Sequence, residues 1–316
     1  MKRTTLRGMV IAVGLGVALA YGPGARGGVP ADATYIGSGM CGHCHGQTSP
    51  AVTGWKASEH AKAMWKVGEE PEGAKIVADF TKSPPFPQDK VAYVLGVGRR
   101  QQAFLDADFK VLPGYWIVKT GAWEAHEAVD AKKDCLGCHT TGYDPEAGTY
   151  KQMGVGCEMC HGPGSAHSAG ADKLATIVQM KDLDAAHKAM VCARCHAVGQ
   201  TKDGKYPFSP TFRPGDDLDQ TFTVAPEAPK TSVNTQYNEL RFGGGKHLAV
   251  GTVCTTCHAP HSAAPGQLRE AIPQLCQKCH AKLEGTQHSE TALKTVSCTA
   301  CHMPGKRHTF VPPKHG

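Results

Sequence analysis

A mainly helical and irregular fold, with short helices and one small antiparallel β element, is predicted by three features of this 316-residue sequence. All 14 cysteines fall in seven copies of Cys-x-x-Cys-His. Glycine (37) and proline (21) are abundant, which suits turns and irregular chain better than long regular elements. The third feature is how little polypeptide surrounds each motif, roughly 42 residues once an N-terminal leader is removed.

Cys-x-x-Cys-His is the attachment motif of c-type haem. Two thiols add across the haem vinyl groups, and the histidine binds the iron as proximal ligand. A zinc ribbon or a disulfide framework would not require a histidine after every cysteine pair. The sequence therefore predicts seven covalently bound haem c groups. Their thioether residues are Cys41, Cys44, Cys135, Cys138, Cys157, Cys160, Cys192, Cys195, Cys254, Cys257, Cys276, Cys279, Cys298 and Cys301. Their proximal histidines are His45, His139, His161, His196, His258, His280 and His302. With so little chain per haem the porphyrins act as the core, and the haem-free chain is expected to be largely unfolded.

From the N-terminus, Lys2, Arg3 and Arg7 precede an apolar run from Met9 to Leu19 and an Ala18-Leu19-Ala20 cleavage site. Residues 1–20 read as an export signal, the run being short for a membrane span. Trp55 to Met64 looks helical, and Trp55 could cover a haem edge. Residues 91–123 alternate apolar and polar side chains around Asp106 and Pro113-Gly114, which predicts two or three antiparallel strands. A four-haem part is expected over 31–202, a Pro/Gly-rich extended connector or docking loop over 203–246, and a three-haem part over 247–316. Three intervals between motifs, Cys135 to Cys157, Cys254 to Cys276 and Cys276 to Cys298, are of equal length, suggesting repeated units. The segments CEMCHGPGSAH and CTACHMPGKRH share H-x-P-G-x-x-H, in which Pro-Gly ends the haem-bearing turn and projects a second histidine.

Ten histidines remain, and the natural role for them is distal ligation. A histidine a few residues from a motif cannot swing to the other face of the same haem, so His167 and His308 are expected to serve neighbouring haems. His60, His247, His261 and His288 are further candidates, with His126 and His187 competing for the seventh iron. His43, inside an attachment loop, and His315, in the tail, are excluded. Met40, Met64, Met153 and Met303 stand near motifs, but packing explains them more simply.

The formal charge of +6 does not point to a nucleic-acid partner. Loss of the leader removes three basic residues, and two propionates per haem make the oxidised holoprotein mildly acidic.

Residues 35 to about 215 resemble the cytochrome c-554 family. The resemblance rests on YIGSGMCGHCH followed by W-x-x-S-x-H-A, KDCLGCHTTGYDP, GVGCEMCHGPGSAH and CARCH. Residues 247–302 are similar to doubled CxxCH modules, with HLAVGTVCTTCHAPH followed by LCQKCH. The resemblance implies electron carriage through parallel and perpendicular haem pairs, with His60 and His167 as distal ligands. It departs from the four-haem pattern of the family by a three-haem extension. The leading expectation is a non-enzymatic electron-transfer protein of periplasmic or extracellular respiration, exchanging electrons with other cytochromes or redox proteins. The alternatives are a redox enzyme acting on a small nitrogen or sulfur compound, and a homo-oligomeric subunit of an extracellular cytochrome filament.

Overall fold

A computed structural model of the chain describes residues 28–126, 129–170, 172–229, 232–281, 288, 291 and 296–310. Residues 1–20, expected to be an export signal, and His315 lie outside the described residues.

The haem motifs form short helices: α1 (Ser38–His45), α4 (Leu136–His139), α5 (Glu158–His161), α7 (Ala185–His196), α9 (Cys254–Cys257), α10 (Gln274–Gln277) and α11 (Cys298–His302). Between them lie α2 (Pro50–Ala57), α3 (Ala131–Asp134), α6 (Ser165–Ala169) and α8 (Gln236–Phe242). Most span one or two turns, and the haem-motif helices stop at or near the attachment histidine, as when Gly162, at φ 82°, follows α5. The exception is α7, started by the Asp184 carboxylate, which accepts from the His187 backbone N–H at 3.0 Å. Its alanines favour helix and let neighbours approach closely: α4, α5, α8 and α9 all pack on it.

The predicted β element is larger than expected. Strands β1 (Met64–Lys66), β2 (Tyr93–Leu95), β3 (Gln101–Leu105), β4 (Tyr115–Ile117) and β5 (Ala122–Glu124) form an antiparallel sheet in chain order. The helix expected to run from Trp55 to Met64 instead ends at Ser58, whose hydroxyl donates back to the Trp55 carbonyl at 2.6 Å; Met64 opens β1. Alternation sorts the side chains by face. Trp65, Val94, Phe104 and Trp116 enter an aromatic cluster with Phe80, Phe86 and Trp123. Met64, Leu95, Ala103, Leu105 and Tyr115 face the other way, onto Cys135 and Leu136 of the second haem motif. The sheet is thus a platform for that motif.

Residues 203–246 are not an extended connector. Strand β8 (Gly199–Thr201) pairs with β9 (Phe222–Val224), and Phe212, Leu218, Phe222 and Tyr237 pack on Ala189, Met190 and Ala193 of α7. Proline and aspartate here serve turns, while the interspersed aromatics supply a core. Strands β6 (Thr140–Thr141) and β7 (Gln152–Met153) form a further small pair. Among the described residues, no helix is long and apolar enough to cross a membrane.

Candidate haem sites and the histidine pairs

Each attachment histidine stands at or near the end of its helix, and in four of them Nδ1 meets an acceptor. The Nδ1–H of His139 donates to Ala63 O (2.8 Å), His161 to Val178 O (3.0 Å), and His258 to Gly266 O (2.8 Å). His196 donates to Gln236 Oε1 at 3.1 Å. These acceptors assign the tautomer that leaves Nε2 bare, the form a metal-bound imidazole requires. His167 is held the same way, its Nδ1 2.6 Å from Lys173 O.

Across from six of the seven proximal rings stands a second histidine. The pairs are His45–His167 (ring centres 6.0 Å apart), His196–His60 (6.2 Å), His161–His261 (6.1 Å), His258–His308 (6.2 Å), His280–His247 (6.1 Å) and His302–His288 (5.8 Å). An imidazole nitrogen lies ~2.0 Å from its metal and roughly 1.1 Å from its own ring centre, so two rings sharing one iron have centres about 6.2 Å apart. The pairs match that spacing, and in the last the two Nε2 atoms face each other at 3.5 Å. The residues therefore fit haem iron between two imidazoles. Burial, with nearby histidines adding to it, pulls His60 and His308 down to about 4, so both are neutral and able to ligate at physiological pH.

His167 and His308 each stand opposite the histidine of another motif. The two copies get there differently: His167 rides on α6, whereas His308 follows a single 3-10 turn, Pro304–Lys306. His308 is aimed by Glu239, whose carboxylate accepts from the His308 backbone N–H (2.6 Å) and from Arg307 Nε (3.1 Å).

The seventh ring, His139, has no histidine across from it among the described residues. Neither candidate for that place forms a ring pair with His139 among the described residues. His187 turns its Nδ1 to the Asp184 carboxylate at 2.7 Å, closing the start of α7. His126 meets Tyr115, with Nε2 and the phenol oxygen 2.6 Å apart and ring centres at 4.0 Å. The excluded His43 is exposed on α1.

Thiols from different motifs also meet. Hydrogen-bonding contacts join Cys41 to Cys157, Cys138 to Cys195, Cys192 to Cys254 and Cys276 to Cys298. Cys160 lies within electrostatic range of Cys195, and Cys257 of Cys279. In the midst of the second, third and fourth motifs sits Arg194, which sequence reasoning did not single out. It is 9% exposed, and its buried Nη1 has no hydrogen-bond partner among the described residues. Its guanidinium lies over the Phe212 ring at 5.5 Å, and its carbonyl accepts from Cys138 Sγ at 3.8 Å. A charge inside a Cys-x-x-Cys loop was the available signal. Glu158 was equally silent: buried, it accepts from the backbone N–H groups of Ile36, Gly37 and Gly164 at 2.7–2.9 Å and ties the first motif to the third.

Opposed histidine pairs and short Cys-x-x-Cys-His helices are what a multihaem cytochrome c requires, and the chain is similar to proteins of that class. The doubled CXXCH motif family matches residues 247–285, and the cytochrome c554 and c-prime family matches residues 117–162. Cytochrome c-554 of Nitrosomonas europaea is 26% identical over 68% of this chain and 80% of its own length. The multiheme cytochrome MtrA of Shewanella baltica is 25% identical over 48% of this chain and 36% of its own. Among solved structures, the outer cell wall cytochrome OcwA shares the fold at a TM-score of 0.70 and 21% identity, covering 87% of this chain and 79% of that one. The undecaheme cytochrome from the S-layer of Carboxydothermus ferrireducens gives a TM-score of 0.54 at 20% identity, covering 90% and 53%.

Proposed function

We propose that the protein is a seven-haem electron-transfer cytochrome in which six haems are bis-histidine, low-spin and coordinatively saturated. The observation that supports this most directly is the set of six opposed histidine pairs at metal-bridging distance. Haem supplies the one-electron chemistry; the chain supplies axial ligands, spacing and exclusion of water. Numbering the haems by motif, the thiol contacts support a path from haem 1 to haem 3, then to 4, 5, 6 and 7, with haem 2 as a side branch on haem 4. The cysteines of haems 1, 6 and 7 include the exposed ones, Cys44, Cys279 and Cys301, so both ends of the path are open to donor and acceptor proteins. The export signal places this work in the periplasm or beyond it.

A second activity is favoured by one observation: among the described residues no histidine stands opposite His139. Haem 2 is then five-coordinate and able to bind a small molecule, with electrons arriving through haem 4; a small nitrogen or sulfur compound suits such a site. Electron paramagnetic resonance of the oxidised holoprotein tests both readings. The expected spectrum has six low-spin irons and one high-spin iron, on a protein whose mass exceeds the mature polypeptide by seven haems. Several high-spin centres would overturn the saturated chain, and none at all would overturn the open haem.

A further inference from the structure

The groups set against the histidine nitrogens that do not reach iron are not all alike. Five rings, His139, His161, His167, His196 and His258, turn Nδ1 to an uncharged backbone or amide oxygen. His308 faces a charge instead. Its Nδ1 is buried, has no hydrogen-bond partner among the described residues, and lies 3.9 Å from Oε2 of Glu239. An imidazole that binds iron through Nε2 carries its proton on Nδ1. The nitrogen beside the carboxylate is therefore an N–H.

The surroundings fix that carboxylate in place. Glu239 lies on α8 and is 8% exposed. Its Oε1 accepts from Thr235 Oγ1 at 2.8 Å and from Arg307 Nε at 3.1 Å. Its Oε2 accepts from the His308 backbone N–H at 2.6 Å, which leaves that oxygen with acceptor capacity to spare. Two cations moderate the charge: Arg307, and Arg100, which is within electrostatic range of His308. Both are exposed, so solvent screens them more than it screens the buried carboxylate.

We propose that Glu239 is the outer-sphere carboxylate of haem 5, acting through His308 to lower the potential of that haem. This rests on the reading of haem 5 as bis-histidine. A negative charge at the Nδ1–H draws its proton and makes the ring a stronger donor to iron, which favours the ferric state. Haem 5 is where the proposed path passes from the N-terminal haems to the C-terminal ones. Glu239 thereby helps to set the driving force for electrons crossing between the two parts.

Potentiometric titration of the holoprotein, followed by electron paramagnetic resonance, tests this. The haem 5 signal is the low-spin signal lost in His308→Ala. Glu239→Gln, measured without denaturant, should leave haem 5 low-spin while its reduction becomes about tenfold more favourable, a rise of about 59 mV. The spread of its g values should widen, because the ring donates less. Arg307→Gln, at an exposed position, removes a cation from the carboxylate and should move the potential the other way. Seven haems by mass and unchanged signals from the other low-spin haems establish that each variant is folded. If His308→Ala removes no low-spin signal, the bis-histidine reading of haem 5 fails, and the proposal with it. If the signal is lost there but Glu239→Gln leaves the potential unchanged, or Arg307→Gln moves it the same way, the carboxylate does not tune the haem, although the bis-histidine reading stands. A rise with unmoved g values places the effect outside His308, and a haem 5 turned high-spin by Glu239→Gln makes Glu239 a support for the ligand alone. Either overturns the proposal.

Discussion

Arg194 brings a full positive charge into the interior between three haem attachment sites. Ferric iron in its porphyrin carries one more positive charge than ferrous iron, so an unneutralised guanidinium nearby favours reduction. Replacing it as Arg194→Gln should lower the potentials of haems 2, 3 or 4 while leaving haems 6 and 7 in place. A tenfold change in a one-electron equilibrium is about 59 mV, and potentiometric titration of the holoprotein should show a fall of that order in at least one haem. Two further single-residue changes test the ligand pairs. His167→Ala should make haem 1 high-spin and reactive with carbon monoxide, and His308→Ala should do the same to haem 5. In both, the thioethers and the proximal histidine keep the haem attached, so pigment is retained while one low-spin signal disappears.

Among the elements, the helices that carry histidines were legible because attachment chemistry fixes their spacing, and the sheet because alternation over 91–123 is a local property. What the sequence hid is non-local. Met64 reads as the end of a helix, yet as the first residue of β1 it pairs with Leu95 of β2, a contact set by a partner distant in sequence. The 203–246 stretch reads as linker because its prolines and glycines dominate locally, while its buried aromatics find their partners on α7. Glu239 of α8 illustrates the consequence. It is 8% exposed and holds both Arg307 and the His308 backbone. Glu239→Gln keeps the shape but removes the charge, and should destabilise by about 1–3 kcal/mol. Denaturant unfolding of the holoprotein should show the loss, and haem 5 should lose its low-spin signal before haems 6 and 7 do.

At the scale of the whole molecule, the proposed ligands cross the two haem-bearing parts that the motif spacing suggests. His261, in the C-terminal third, stands opposite His161, and Gly54 of α2 lies against the His261 backbone with no room for a Cβ. His261→Ala should therefore open haem 3, in the N-terminal part, and leave its own neighbour haem 5 low-spin; spectral assignment of the new high-spin iron checks which haem changed. Helix α7 is where these parts meet, touching the helices of the second, third and fifth motifs. The thiol contacts that mark this junction have another consequence, for biogenesis. Cys41 with Cys157, Cys138 with Cys195, and Cys192 with Cys254 are cysteines of different motifs brought together by folding. In an oxidising compartment, a chain that collapsed before modification would cross-link such pairs and lock the haem out. Haem attachment must accordingly run ahead of collapse, motif by motif as the chain emerges, so that each thioether is made while its later neighbour is still far away.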